Sequence, residues 1–230
     1  MSKVHFIGGE KGGVGKSMTS RLLAQYYIDR ELPFLGFDSD ASHGTFSRFY
    51  GEFASPVIVG EDDSLDGILE ACESKPDHDL IIDLAAQTST RLGEWIDETD
   101  VFGLLDELGY EVFLWHVMDD GADSIDLLGK SLARYPQPEL KFVLVQNFGR
   151  GNDFSQLHDS DAYQSAKSRG ASLFELGKLH AKLTHKVDFA NASFWAAANN
   201  RDMMNIAERQ RMRVWLKNNY SQLENLLAGQ

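Results

Sequence analysis

Seven short apolar runs recur along the chain, and what lies between them decides the fold class. They are "VHFIGG" (4–9), "PFLGFDSD" (33–40), "SPVIVG" (55–60), "DLIIDLAA" (79–86), "YEVFLWHVM" (110–118), "LKFVLVQNF" (140–148) and "ASLFEL" (171–176). Each is of strand length, and most read as continuous apolar stretches rather than alternating ones. Strands of that kind are buried on both faces. Longer segments of helical character separate them: Lys16 to Arg30, 64–73 with Ser64 as an N-cap candidate, and stretches near 90–107, 120–134 and 155–169. Strands alternating with helices imply a parallel sheet covered on both sides, a doubly wound α/β fold. Such folds place ligands outside the carboxyl ends of the strands. With no linker or internal repeat, residues 1–230 are expected to form one domain, closed by a helical segment at about 202–228.

The first strand runs into "GGEKGGVGKS" (8–17), and a helix follows. That context suits a phosphate-binding loop, yet the pattern G-x-x-x-x-G-K-[ST] requires glycine where Glu10 stands. A second lysine, Lys11, precedes Gly12 and Gly13 instead. Gly12, Gly13 and Gly15 let backbone N–H groups turn toward phosphate oxygens, with Val14 between them. The helix beginning at Lys16, Ser17 and Met18 adds its positive N-terminal end. Lys16 is placed to reach the phosphates, and the Ser17 hydroxyl to bind Mg²⁺.

"KGGVGKS" (11–17) matches K-G-G-x-G-K-[ST], and so resembles the deviant Walker A motif of the ParA/MinD family of P-loop ATPases. The resemblance implies a SIMIBI-like P-loop fold, binding of ATP or ADP with Mg²⁺, slow hydrolysis, and a homodimer when ATP is bound. It implies that Lys11 reaches the partner subunit's phosphates. "LGFDSDASHGTF" (35–46) resembles the family's switch I, where Asp40 positions the attacking water and Asp38 supports the Mg²⁺ shell. "LIIDLAAQ" (80–87) resembles Walker B and switch II, with Asp83 holding Mg²⁺ through water. Gln87 either orients water or is a plain polar loop residue. Asn147 resembles the asparagine that reads adenine, with a structural turn as the other reading. The chain is also loosely similar to TraL-type proteins of conjugative plasmids.

Composition narrows the branch and leaves the output open. Cys72 is the only cysteine, so no internal disulfide or cysteine metal cluster forms. No run is long and apolar enough to span a membrane, and residues 1–7 lack a secretory layout, so a cytoplasmic protein is expected. Residues 1–166 carry 12 Lys and Arg against 30 Asp and Glu, whereas residues 167–230 carry 10 against 5. Lys178, Lys182, Lys186, Arg201, Arg209, Arg211 and Arg213 could therefore form a basic stripe for duplex DNA, without aromatic residues interleaved for base stacking. In 211–227, Met212, Trp215, Leu216, Tyr220, Leu223 and Leu227 share one helical face, which suits core packing better than membrane insertion. A protein activator is a further partner. Partition, DNA transfer and positioning of cargo are the expected roles. A MinD-like membrane-associated positioning ATPase, or a small-molecule kinase or amidoligase-type synthetase using the same loop, is the alternative.

Overall fold

A computed structural model describes residues 1–40, 44–86 and 88–228. Seven parallel strands form one sheet: β1 (Ser2–Gly8), β2 (Phe34–Asp38), β3 (Ala54–Pro56), β4 (Asp79–Asp83), β5 (Tyr110–Met118), β6 (Lys141–Asn147) and β7 (Ser172–Leu176). Their spatial order is β3-β2-β4-β1-β5-β6-β7. The direction of winding reverses at β1, which places a crevice at its carboxyl end. That end runs into the phosphate loop.

Pleating sorts the side chains of each strand to opposite faces. On β1, Val4 and Phe6 enter one core and Ile7 the other. The Ile7 side is covered by α1 (Lys16–Asp29), α2 (Thr45–Phe49), α9 (Ala181–Phe189), α10 (Phe194–Asn199) and α11 (Ile206–Leu227). The Phe6 side is covered by α3 (Asp62–Ser74), α4 (Ser89–Thr99), α5 (Val101–Glu107), α6 (Ala122–Arg134), α7 (Ser155–His158) and α8 (Asp161–Ser168). Met212, Trp215, Leu216, Tyr220 and Leu223 of α11 are buried in the first core, so the apolar face of the last helix is spent on packing. Among the described residues, no helix is long and apolar enough to cross a membrane.

Several boundaries differ from the sequence reading, among them the third strand, which is Ala54–Pro56 rather than 55–60, and the terminal helix, expected from about 202. The segment near 90–107 is two helices, broken where Asp100 takes a left-handed φ of 48°. The segment at 155–169 also divides, with Ser160 capping α8 through its side chain. Ser64 is not the cap of α3, because that helix starts two residues earlier, after Glu61. Its hydroxyl instead accepts a hydrogen bond from the Ile58 N–H. The terminal helix starts at Ile206 under a capping box of Asn205 and Glu208.

A buried polar relay fastens α1 to the sheet. Trp115 Nε1 lies 3.1 Å from His5 Nδ1, His5 Nε2 lies 2.9 Å from the Tyr27 hydroxyl, and that hydroxyl lies 2.6 Å from Asp79 Oδ2. An indole nitrogen can only donate, so Nδ1 accepts and the ring proton sits on Nε2. Tyr27 in turn donates to Asp79, whose other oxygen accepts from the Lys3 N–H. A proton added at His5 would set two donors against each other. Burial chiefly, with the Lys3 charge, holds its imidazole down at about 3.

The unfolded chain therefore binds a proton at His5 that the folded chain refuses between about pH 6.5 and pH 3, and stability falls as pH drops through that window. Lowering the pH from 7 to 5 should remove about 2 kcal/mol through His5 alone. Urea titrations of His5→Gln should show a lower stability at pH 7 but a loss smaller by about that amount.

Candidate functional site

The phosphate loop leaves β1 at Gly8 and enters α1 at Lys16; Gly9, Gly13 and Gly15 all have positive φ, and at two of them a side chain would also collide. Gly15 has a φ of 111°, and a Cβ there would collide with Asn147 Nδ2. Gly9, which the sequence reading passed over, has a φ of 138°, and a Cβ there would stand 2.6 Å from the Val117 carbonyl. Its place at a strand end before a second glycine-rich turn was the available signal. Gly12 and Gly13 are exposed, whereas Val14 is buried in the core and Met18 packs against it.

Lys16 is buried, and its ammonium donates to the Lys11 carbonyl at 3.1 Å. Burial lowers its pKa, while Asp83, Asp40 and Glu10 favour its charge. Lys11 lies on the outer side of the loop and pairs with Asp119 at 2.9 Å.

Three carboxylates stand at or just beyond the carboxyl ends of β2 and β4. Asp38 is buried and engaged: Oδ1 accepts from the Asp40 N–H at 3.0 Å, and Oδ2 from the Ser47 N–H and hydroxyl at 2.8 and 3.0 Å. Asp40 is half-buried beside it. Asp83 is fully buried, and among the described residues neither of its oxygens meets full hydrogen-bonding geometry, although the Ser17 and Ser20 hydroxyls lie near enough to act on its charge. Burial pushes its carboxyl up to about 7; the Ser17 and Ser20 hydroxyls and Lys16 favour the charged form, and Asp38 opposes it. A buried carboxylate without full hydrogen bonds beside a loop serine suits a hydrated divalent cation. Among the described residues no three His, Cys, Asp or Glu cluster as an all-protein metal cage. Mg²⁺ sites that lean on substrate phosphates need none.

Ser39, between the two aspartates, was also missed. Its N–H donates to the Asp83 carbonyl at 2.9 Å and its hydroxyl accepts from the Ala85 N–H at 2.8 Å, so it ties the segment after β2 to the segment after β4. Gln87 and residues 41–43 lie outside the described residues.

Asn147 is buried and braces the loop. Its Nδ2 donates to the Val14 carbonyl at 2.6 Å and its Oδ1 accepts from the Gly149 N–H at 2.9 Å. One amide hydrogen and one lone pair are left for a base edge.

On the other side of the loop lies a chamber of about 650 Å³ between β1, β5, α4 and α6. Glu10, His116, Leu84, Leu92, Tyr135 and Arg134 are among its walls. His116 is buried there, and burial holds its imidazole down at about 4.

Three of the basic residues near the C-terminus have partners within the chain. Lys186 is held by both carboxylate oxygens of Glu208 at 2.8 Å, Arg209 donates to the Met204 carbonyl, and Arg213 to Asn199. Lys178 and Arg211 line one cleft, whereas Arg213 lines another with Arg30 and Lys217. Two aromatic residues absent from the sequence reading stand exposed in the same segment, Phe189 at 86% and Trp195 at 57%.

This geometry has counterparts among known structures. The fold matches a chain of the MinC:MinD cell division protein complex of Aquifex aeolicus with a TM-score of 0.58, covering 100% of this chain and 97% of that one at 10% identity. It matches MinD from Pyrococcus horikoshii, complexed with Mg-ADP, with a TM-score of 0.57 over 95% and 96% of the two chains at 13% identity. The fold is that of these solved structures, and the loop carries the K-G-G-x-G-K-[ST] signature by which the sequence resembles the ParA/MinD family. Among curated sequences, the chain is 27% identical to protein TraL of Escherichia coli over 98% of both chains. It is 26% identical to protein MobD of Acidithiobacillus ferrooxidans over 91% of this chain and 92% of that one. No family profile matches the sequence.

Gly15→Ala should destabilise this ParA/MinD-type loop by roughly 2–3 kcal/mol, because it adds left-handed strain to the collision with Asn147. Urea unfolding of Gly15→Ala, Asn147→Ala and the double variant should show a double-variant loss smaller than the sum.

Proposed function

We propose that this chain is an ATP-dependent dimerising switch that binds Mg-ATP and hydrolyses it slowly. The observation that carries the reading is the buried Asp83 carboxylate, neither oxygen of which meets full hydrogen-bonding geometry among the described residues, set at the end of β4 beside Ser17 and Lys16. The Mg-ADP and ADP held by structural neighbours, the latter in a nucleotide-binding protein from Archaeoglobus fulgidus, support a nucleotide as the ligand.

In this reading the N–H groups of Gly12 to Met18 cradle the phosphates, Lys16 neutralises their charge, and Asn147 offers its remaining hydrogen and lone pair to adenine. Ser17, Asp83 and Asp38 hold Mg²⁺, which when bound offsets charge on the transferring phosphoryl group. Asp40 orients the attacking water, and Lys11 serves the partner subunit's nucleotide. Ser39 joins the two segments that must sense the γ-phosphate, so one movement carries the other.

Its output belongs to the segment 178–213 and serves partition, DNA transfer or cargo positioning in the cytoplasm. Lys178, Lys182, Arg201 and Arg211 could neutralise backbone phosphates of duplex DNA, and a protein activator could contact the exposed Phe189 and Trp195. A second reading rests on the chamber beside the loop: a small acceptor held there would make the protein a phosphotransferase or ligase. The two readings part on ADP release without any small-molecule acceptor, which only the switch performs.

Lys16→Ala should weaken Mg-ATP binding by roughly a hundredfold in a fluorescent-nucleotide titration. Lys11→Ala should bind nucleotide within about threefold of the parent yet sediment as a monomer with ATP, since a half-exposed lysine adds little in its own subunit. Asp40→Ala should slow phosphate release at least about tenfold while leaving nucleotide bound.

A further inference from the structure

Lys11 is already provided with counter-charge inside its own subunit. Its ammonium lies 2.9 Å from Asp119 Oδ2 and 3.1 Å from Oδ1. That carboxylate is fixed before the lysine arrives, because Oδ1 also accepts from the Ser124 hydroxyl at 2.6 Å and from the Gly121 N–H at 3.1 Å. Asp120 and Asp123 add their fields, and together with Asp119 they favour the protonated lysine. Gly121 leaves room for the ammonium, since a Cβ there would come within 3.1 Å of Lys11 Nζ.

The same loop is anchored on its far side. Asp120 Oδ2 accepts from the N–H groups of Asn152 and Asp153 at 2.8 and 3.2 Å, in the segment that follows Asn147. Consecutive aspartates thus join Lys11 to the strand end whose asparagine braces the phosphate loop.

We infer that Asp119 is a positioning residue that stows Lys11 against its own subunit and so sets how readily the ATP dimer forms. The inference rests on the reading of Lys11 as a lysine that serves the partner subunit. Reaching a partner's phosphate draws Lys11 away from the fixed Asp119 carboxylate, so in this inference dimerisation exchanges one counter-ion for the other. Half-exposed ion pairs are weak. Asp119 is more effective than most because its own hydrogen bonds prevent it from following Lys11 outward. Stowing also turns the ammonium away from the phosphates of its own subunit, which leaves Lys16 to serve them.

Asp119→Asn is the informative variant, because the amide oxygen keeps the bonds from Ser124 and Gly121 while the charge is lost. The first readout is the rate at which Lys11 is acetylated by an N-hydroxysuccinimide ester without nucleotide, followed by mass spectrometry with Lys217 as internal reference. It should rise about fivefold in Asp119→Asn, in line with an ion pair of this exposure. The second is sedimentation with Mg-ATPγS for the parent, Asp119→Asn, Lys11→Ala and the double variant. Asp119→Asn should dimerise at about fivefold lower protein concentration, and only where Lys11 is present.

Unchanged Lys11 acetylation overturns the stowed pair itself. Faster acetylation with unchanged or weaker dimerisation overturns the gating role, and so does a gain that persists in Lys11→Ala. Faster acetylation with no dimer in any nucleotide-bound variant sinks the dimerising-switch reading, and the gating role falls with it.

Discussion

An indole that can only donate sets the geometry on which the rest of this structure depends. Trp115 on β5 directs its proton to His5 on β1, and the direction passes through Tyr27 of α1 to Asp79 at the start of β4. Each group has one role left to it once Trp115 has chosen. The relay fastens three strands and a helix at the end of the sheet away from the phosphate loop. With α1 fixed there, its other end presents Lys16 and Ser17 at a constant distance from the ends of β1 and β4. A site of three carboxylates and two lysines needs such fixed walls, because each charge acts over a few ångströms.

The site is built by strand ends, and its separate duties are divided among them. The end of β1 provides the loop, the end of β2 Asp38 and Asp40, the end of β4 Asp83, and the end of β6 Asn147. Ser39 and Asn147 then join these pieces by short hydrogen bonds. The loop with its two lysines is therefore one member of a braced frame, and the braces come from residues that carry no charge.

Much of this was legible in sequence because it depends on local pattern. Six of the seven strands announce themselves as apolar runs, and the phosphate loop as glycine and lysine between strand and helix; β3 only overlaps the start of its run, ending at Pro56 before Val57 to Val59. Local pattern fails where the deciding partner is distant. Asn147 looks like a residue waiting for a base, yet its partner Val14 lies 133 residues away. Lys11 is read only toward a partner subunit until Asp119, 108 residues on, is found beside it. Lys186 looks available to DNA until Glu208 takes it. Boundaries failed for a smaller reason: Asp100 accepts a left-handed backbone that its neighbours' helical pattern does not betray.

The bond from Lys16 to the Lys11 carbonyl has a consequence for what the loop will accept. A buried ammonium aimed at its own loop already has a partner, so any anion that enters must outbid a carbonyl oxygen. Chloride or a lone carboxylate offers little more than that carbonyl does, whereas a polyphosphate brings several charged oxygens at once. The loop thereby carries a threshold, and discrimination among anions begins before any base is read.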